Sequence, residues 1–137
     1  MVTRFFAVFF VLLGMAACGG PISPSQNTTQ TISDVVPLQG QTIRSFDVPN
    51  LGEFTVKLTA LTPGGSAIIG VLWGQFVNGG CTSLQSNAIS SAYLGKTVLS
   101  GAVYVKGTYC IQVFDPFLVG GAPLAAPQSY TFEVSHP

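Results

Sequence analysis

The sequence predicts an all-β fold, an antiparallel β-sandwich of jelly-roll type, and three observations lead to that prediction. Short apolar segments that alternate with polar residues recur along the chain and are separated by Gly and Pro. Downstream of residue 40 no helical period persists. Charged residues make up only 7% of the 137 residues, so the Glu and Lys that favour helices are scarce. A chain of this length has room for one core of ordinary size, and we expect one such domain.

The clearest strand is predicted at residues 53–60, where apolar and polar side chains alternate and only one face is wet. Residues 42–48 form a weaker strand before it, and residues 49–52, Pro-Asn-Leu-Gly, supply the turn between the two. The apolar face of the clearer strand consists of Phe54, Val56, Leu58 and Ala60.

Residues 67–76 are almost all apolar, which predicts a strand covered on both faces. Gly70 and Gly74 interrupt this run and indicate bulges or close packing. Trp73 lies between apolar neighbours and is expected in the core, with a sugar-stacking platform as the alternative.

Three further strands are predicted at residues 98–105, 109–114 and 130–135. The first two are joined at residues 106–108, Lys-Gly-Thr. Residues 82–93 show no clear period, and we expect a loop with a short strand there.

Residues 1–17 have the form of an export signal. Arg4 supplies a positive charge, and residues 5–17 are almost entirely apolar. As a helix this apolar run covers roughly 20 Å, less than the roughly 30 Å of a bilayer core. A signal peptide is therefore favoured over a permanent membrane span.

The leader ends in Met15-Ala16-Ala17-Cys18, which resembles the lipobox of bacterial lipoproteins. The resemblance implies cleavage before Cys18, a diacylglyceryl group on its thiol, and acylation of the new amino terminus, with palmitate among the expected chains. Two or more acyl chains anchor a protein stably in a membrane. The resemblance also implies a location in the cell envelope. In enterobacteria an Asp directly after the acylated Cys resembles an inner-membrane retention signal. This chain has Gly19 at that position, so the outer membrane is favoured over the inner. An ordinary secreted protein and an uncleaved anchor are the alternatives.

Residues 18–34 are predicted to form the acylated Cys and a flexible tether. They carry two prolines and no apolar period, as disordered segments do. The β-sandwich domain is accordingly predicted for residues 35–137.

Two cysteines, Cys81 and Cys110, remain once Cys18 is assigned to lipid. An even number of cysteines in an exported domain predicts a disulfide between them. A metal or redox pair is the alternative, but the chain has no Cys-x-x-Cys spacing and no His near either cysteine.

The strand pattern of residues 41–137 resembles the bacterial pre-peptidase C-terminal domain, a jelly-roll-like sandwich of exported proteins. Some members bind calcium, collagen-like or carbohydrate ligands through acidic clusters and exposed aromatic side chains. In this chain the acidic residues are scattered singly, so neither calcium nor another cofactor is expected. Residues 105–109 also fit a tyrosine corner. The resemblance rests on Phe46-Asp47-Val48, on residues 52–58 and 107–115, and on Tyr130-Thr131-Phe132-Glu133-Val134.

Catalytic chemistry finds little support in the sequence. His136 is the only His, so a Ser-His-Asp arrangement would have to use it, and a zinc site would lack its usual ligands. Glu53 and Glu133 are expected on the solvent faces of strands. The formal net charge is zero, which excludes a nucleic-acid partner bound through a basic surface. We therefore expect neither an enzyme nor a metal protein.

One long loop, residues 115–127, combines Gly and Pro with large apolar side chains, and long loops in compact domains are often functional. An exposed loop would offer a protein partner or a membrane surface an apolar patch, whereas a folded-back loop would cover a sheet edge. The sequence thus predicts a membrane-anchored, non-catalytic module for a protein or carbohydrate ligand, or alternatively a purely structural envelope lipoprotein. The apolar residues of this loop are Phe117, Leu118, Val119 and Leu124.

Overall fold

Residues 26–137 are described by the computed structural model, and they form a sandwich of two antiparallel four-stranded sheets. The predicted all-β sandwich is confirmed. Cys18 and the predicted signal peptide lie outside the described residues. The strands are β1 (Thr28–Val36), β2 (Gln41–Val48), β3 (Gly52–Thr62), β4 (Ile69–Val77), β5 (Gly80–Ile89), β6 (Thr97–Val103), β7 (Gly107–Phe114) and β8 (Gln128–His136). One sheet has the strand order β1-β8-β3-β6 and the other β2-β7-β4-β5, which is the arrangement of a jelly roll.

The core lies between the two sheets and is built from the alternate side chains that each strand turns inward. Trp73 is 1% exposed and its ring stacks on that of Phe54 at a centroid distance of 4.0 Å, so the expectation of a core tryptophan is confirmed. The Tyr109 hydroxyl donates to the carbonyl oxygen of Val105 at 2.7 Å, which confirms the predicted tyrosine corner. The largest fully buried side chains of the core are Trp73, Tyr130, Phe132, Leu58, Ile69, Ile89 and Ile111.

Strand β1 corrects the predicted tether. Its nine residues pair with β8 in an unbroken register from Thr28 to Val36, so residues 28–34 belong to the sandwich. The strand was missed because its sequence is mostly polar: β1 lies at the edge of its sheet, and only Ile32 and Val36 of its nine residues are buried. The domain therefore begins at residue 28 and not at residue 35.

A bulge in β3 changes which side chain faces the core near the end of the strand. The register with β8 shifts between Leu58 and Ala60, which moves Ala60 out of the core face. Leu61 takes the inward position and is 6% exposed. The prediction that Ala60 continues the apolar face was therefore wrong.

The segment predicted as loop with a short strand is instead the ten-residue strand β5, followed by a 3₁₀ turn, Ser91–Tyr93. Most of β5 is exposed because it is an edge strand, so its sequence lacks the apolar alternation that marks the inner strands. Its register with β4 shifts between Trp73 and Gly74, where a bulge opens.

The predicted disulfide is present and joins Cys81 of β5 to Cys110 of β7, with a Cα–Cα distance of 5.8 Å. It crosses the strand between them, β4, at Gly74. A Cβ on Gly74 would lie 2.1 Å from the carbonyl oxygen of Thr82 and 3.2 Å from the Cys81 sulfur. Glycine is required here because the chain and the disulfide close over it.

We expect Gly74→Ala to lower the free energy of unfolding by about 1 to 3 kcal/mol, because backbone atoms of β5 must move to admit the methyl group. Gly80→Ala, in the same hairpin, is the matched control, since its Cβ would meet only the Val77 carbonyl oxygen at 3.7 Å. Urea unfolding of both variants measures the difference. Equal stabilities for the two variants would contradict the close packing at Gly74.

Candidate functional site

Four connections of the sandwich emerge at one end of the domain, and we call this end the distal loop surface. They are residues 37–40, 63–68, 90–96 and 115–127, which link β1 to β2, β3 to β4, β5 to β6 and β7 to β8. The strand pairings place them together, because the pairs Val36–Gln128 and Gln41–Phe114 lie at the same end of the two sheets.

Asp115 joins two of these loops and is the buried carboxylate of the surface, with an exposed fraction of 0%. One of its oxygens accepts the backbone N–H of Gln39 at 2.8 Å, and the other accepts that of Phe117 at 3.0 Å. The N–H of Leu124 donates to both oxygens, at 3.1 and 3.2 Å. Asp115 thereby holds both ends of its own loop and the neighbouring β1–β2 connection.

The ionised form of Asp115 is the one that these contacts stabilise. Burial raises the pKa of this carboxyl, but the backbone N–H groups of Phe117, Gln39 and Leu124 lower it by more, so the pKa lies below the usual value for aspartate. A buried carboxylate that accepts several backbone hydrogen bonds is a structural brace. It has no free oxygen directed at a ligand.

The remaining loops are fastened by side chains as well. Gln128, only 2% exposed, accepts the N–H of Gly64 at 2.9 Å and donates to the carbonyl oxygen of Ala126 at 3.1 Å. The Ser91 hydroxyl donates to the carbonyl oxygen of Gly65 at 2.8 Å. Together with Asp115 these contacts link all four connections into one frame.

The apolar loop predicted from the sequence divides into an exposed part and a buried part. A 3₁₀ helix, Pro116–Val119, presents Phe117, Leu118 and Val119 to solvent with exposed fractions of 47, 46 and 72%. Leu124 is 7% exposed and packs in the core. The loop thus covers the end of the sandwich with Leu124 and displays its other three apolar side chains.

Two grooves flank this loop. One, of about 300 Å³, lies between residues 122–126 and the β3–β4 connection, and Ile68 lines it. The other, of about 350 Å³, lies on the outer face of the β4–β5 pair between Phe114, Pro116 and Val119, with Gly70 in its wall. A side chain at Gly70 would overlap the Phe114 ring, whose nearest atom is 2.2 Å from the position of a Cβ.

Further exposed apolar side chains lie around this loop, and the four connections contain few charged residues. In the four connections only Asp115, which is buried, and Lys96 are charged. A solvent-exposed surface with large apolar side chains and almost no charge resembles the buried centre of a protein interface. The exposed large apolar residues of the four connections are Leu38, Ile68, Tyr93, Leu94, Phe117, Leu118 and Val119.

His136 and Asp115 lie at opposite ends of the sandwich. The His136 ring stacks on Phe46 at 5.0 Å and its Nε2 lies 3.2 Å from the amide nitrogen of Gln30, near the start of β1. Asp115 is bound to Gln39 at the other end. The two side chains thus belong to separate sites, and within residues 26–137 no cluster of His, Cys, Asp and Glu has the arrangement of a metal site.

Tyr130, another titratable side chain near the core, is also structural. Burial raises the pKa of its hydroxyl, the hydrogen bond with Thr42 lowers it, and the charge of Asp34 raises it further, so the group remains neutral. The Tyr130 and Thr42 hydroxyl oxygens are 2.6 Å apart, which ties the two sheets together.

Over residues 26–137 we find no helix with the length and apolar character needed to cross a bilayer.

The fold and the site define an eight-stranded jelly-roll domain with an apolar loop surface at one end. No protein-family model matches the chain, and no curated protein matches it significantly. Among solved structures it is similar to the Yersinia pseudotuberculosis-derived mitogen, with a TM-score of 0.55 and 12% sequence identity over 81% of this chain and 87% of the other. At this identity the likeness extends to the fold alone.

Proposed function

We propose that this protein is an exported bacterial lipoprotein, anchored in a membrane of the cell envelope through Cys18, whose β-sandwich is a non-catalytic interaction module. The distal loop surface is the proposed binding site. The anchor is inferred from the Met15-Ala16-Ala17-Cys18 resemblance. The observation that carries the proposed binding site is the display of Phe117, Leu118 and Val119 on a loop held by the buried carboxylate of Asp115.

Rigidity supports a binding role because it removes a cost of association. A loop that is ordered before binding loses little conformational entropy when a partner docks. The Asp115 hydrogen bonds and the αL residue Gly120, at φ 80°, hold the exposed 3₁₀ helix in one conformation. Three large apolar side chains are therefore kept in water by the fold itself.

The chemistry of the surface favours a protein partner over a carbohydrate. Sugars are bound through hydrogen bonds to their hydroxyl groups, and such sites need several exposed polar side chains. Here Asp115 and Gln128 are both buried and engaged with backbone groups. The exposed remainder is mainly apolar, which suits the apolar side chains of another protein.

The arrangement of the chain ends is consistent with this role. Strand β1 begins at the end opposite to the distal loop surface, where Thr28 pairs with His136. An anchor at Cys18 would thus join the domain at one end and leave the loops facing away from the membrane.

A purely structural envelope lipoprotein is the second candidate. The burial of Leu124 favours it, because this side chain closes the end of the sandwich and gives the loop a packing role without any ligand. The two candidates differ over Phe117 and Val119, since a covering role requires neither side chain to be exposed.

Crosslinking in the native envelope, followed by pull-down, tests the proposal with two double variants. Phe117→Ser with Val119→Ser removes two apolar side chains from the distal loop surface, and Val77→Ser with Leu84→Ser removes two other exposed apolar side chains from the β4–β5 hairpin. If each distal side chain contributes about 1 to 2 kcal/mol to binding, we expect the first variant to lose affinity by a factor of about 30 to 1,000.

The control variant should retain its partner, and both variants should unfold within about 1 kcal/mol of the wild type because the substituted side chains are exposed. Recovery of the same partners at the same yield by both variants would contradict the proposed binding site and favour the purely structural role.

A further inference from the structure

The end opposite to the distal loop surface carries a second, smaller apolar feature, which we call the proximal tip. Gly52 of β3 pairs with Val103 of β6, so Leu51 and Tyr104 leave the sheet side by side. Tyr104 is 83% exposed, the largest value for any large apolar residue in the described part of the chain, and Val105 is 58% exposed. Leu51, at 41%, completes the tip.

The proximal tip is held in place by hydrogen bonds. The Tyr109 hydroxyl donates to the carbonyl oxygen of Val105, and the Thr108 hydroxyl donates to the Asp47 carboxylate at 2.8 Å. These contacts brace the β6–β7 turn from both sides. The exposure of Tyr104 is therefore a feature of the ordered turn.

The chain enters the domain beside this tip. The side-chain amide of Asn27 donates to the carbonyl oxygen of Glu53 at 2.8 Å and to the Ser135 hydroxyl at 3.2 Å, which fastens the start of the domain two residues from Leu51. Nine residue steps separate Asn27 from Cys18, and whatever their conformation they span at most about 30 Å. A lipid anchor at Cys18 would hold the proximal tip within that distance of the bilayer.

The composition of the tip is that of side chains found at a lipid interface. Tyrosine partitions into the headgroup region because its ring is apolar and its hydroxyl can stay hydrated. The formal charge near the tip is small, since Lys106 is accompanied by exposed Asp47 and Glu53. Contact would then depend on apolar and aromatic side chains, with little attraction to anionic lipid.

We propose that Leu51, Tyr104 and Val105 rest in the headgroup region of the phospholipid bilayer that holds the anchor, so that the domain stands on the membrane with its loops outward. This inference rests on the lipid anchor proposed above. It assigns the second apolar surface of the molecule to lipid and leaves the distal loop surface for a protein partner.

Tryptophan fluorescence of the protein purified from its native membrane and mixed with phosphatidylcholine vesicles tests the inference. Tyr104→Trp adds an indole at the tip, Phe117→Trp adds one at the distal loop surface, and the wild type reports the buried Trp73 as background. Phosphatidylcholine brominated high on its acyl chains quenches only indoles that lie in the bilayer interface. Both substituted positions are exposed, so the fold should be unaffected.

We expect brominated lipid to remove most of the added fluorescence of Tyr104→Trp, equally at low and high salt, and none of that of Phe117→Trp. Vesicle flotation distinguishes failure of the proposed membrane contact from failure of the proposed anchor. Protein that floats but shows no quenching at position 104 would overturn the membrane contact and leave the anchor intact. Protein that does not float would overturn the proposed anchor and this inference with it.

Discussion

Replacing Asp115 by asparagine is expected to lower the free energy of unfolding by about 3 to 5 kcal/mol. The buried carboxylate accepts backbone N–H groups of Gln39, Phe117 and Leu124. An amide group offers one acceptor oxygen and turns an NH₂ group toward the remaining donors. At least one backbone N–H then loses its partner beside the fully buried side chain of residue 115, and the N–H of Leu124 is itself buried.

Asp47→Asn is the matched control, because Asp47 is exposed and accepts one side-chain hydrogen bond, from Thr108. Its expected cost is below about 1 kcal/mol. Thermal and urea unfolding of the two variants give the comparison. Similar stabilities for both would show that Asp115 does not brace the loops.

The contribution of Asp115 to stability should also depend on pH. Its pKa is lowered in the folded protein, so the unfolded chain binds this proton more readily. The stabilisation is fully present above the aspartate pKa of about 3.9 and is lost as the pH falls through the lower folded-state value. The stability difference between wild type and Asp115→Asn should accordingly shrink in acid. If the stability difference between wild type and Asp115→Asn stayed constant down to the lowest pH at which both proteins fold, it would contradict the lowered pKa of Asp115.

Removal of the disulfide by Cys81→Ala and Cys110→Ala is expected to lower the free energy of unfolding by about 3 to 4 kcal/mol. The crosslink closes a loop with a sequence separation of 29, and the expected loss is the loop entropy that the unfolded chain regains. For a domain of this size the melting temperature should fall by about 10 to 20 °C. Differential scanning calorimetry measures both quantities.

The oxidised and reduced wild type provide the control for this experiment. Reduction breaks the same crosslink without removing either sulfur, so reduced wild type and the double variant should have similar melting temperatures. A melting temperature unchanged by both treatments would contradict a stabilising role for the crosslink.

The inner strands of the sandwich were predictable because their alternation is a direct consequence of one buried face. Phe54, Val56 and Leu58 lie in the core as their spacing indicates. The edge strands β1 and β5 could not be predicted, because most of their side chains are exposed and their sequences resemble polar loops. The edge strands β2 and β6 contain more clearly spaced apolar residues and were predicted. The bulge in β3 after Leu58 could not be predicted either, because it arises from the pairing of β3 with β8.

The disulfide could be predicted from chemistry alone, but the reason for Gly74 could not. A glycine in a strand indicates a close approach without saying by what. Only the fold shows that Thr82 and Cys81 lie over it.

The candidate site was predictable in part. The apolar composition of residues 115–127 marked the loop, yet it did not distinguish exposed Val119 from buried Leu124, because a loop has no period. The role of Asp115 was missed. Its signal was present in Asp115-Pro116, an aspartate before a proline at the start of a helical turn, which is the pattern of an N-cap.

Intact mass spectrometry of the protein purified from its native membrane is the decisive test of the proposed lipid anchor. Both proposals depend on a lipid anchor at Cys18, which would turn the proximal tip toward the membrane and the distal loop surface away from it. We predict a mature amino terminus at Cys18 that carries a diacylglyceryl group and a further acyl chain, and the loss of this modification in Cys18→Ser. An unmodified mature terminus, or a leader still attached in the wild type, would contradict the proposed anchor at Cys18.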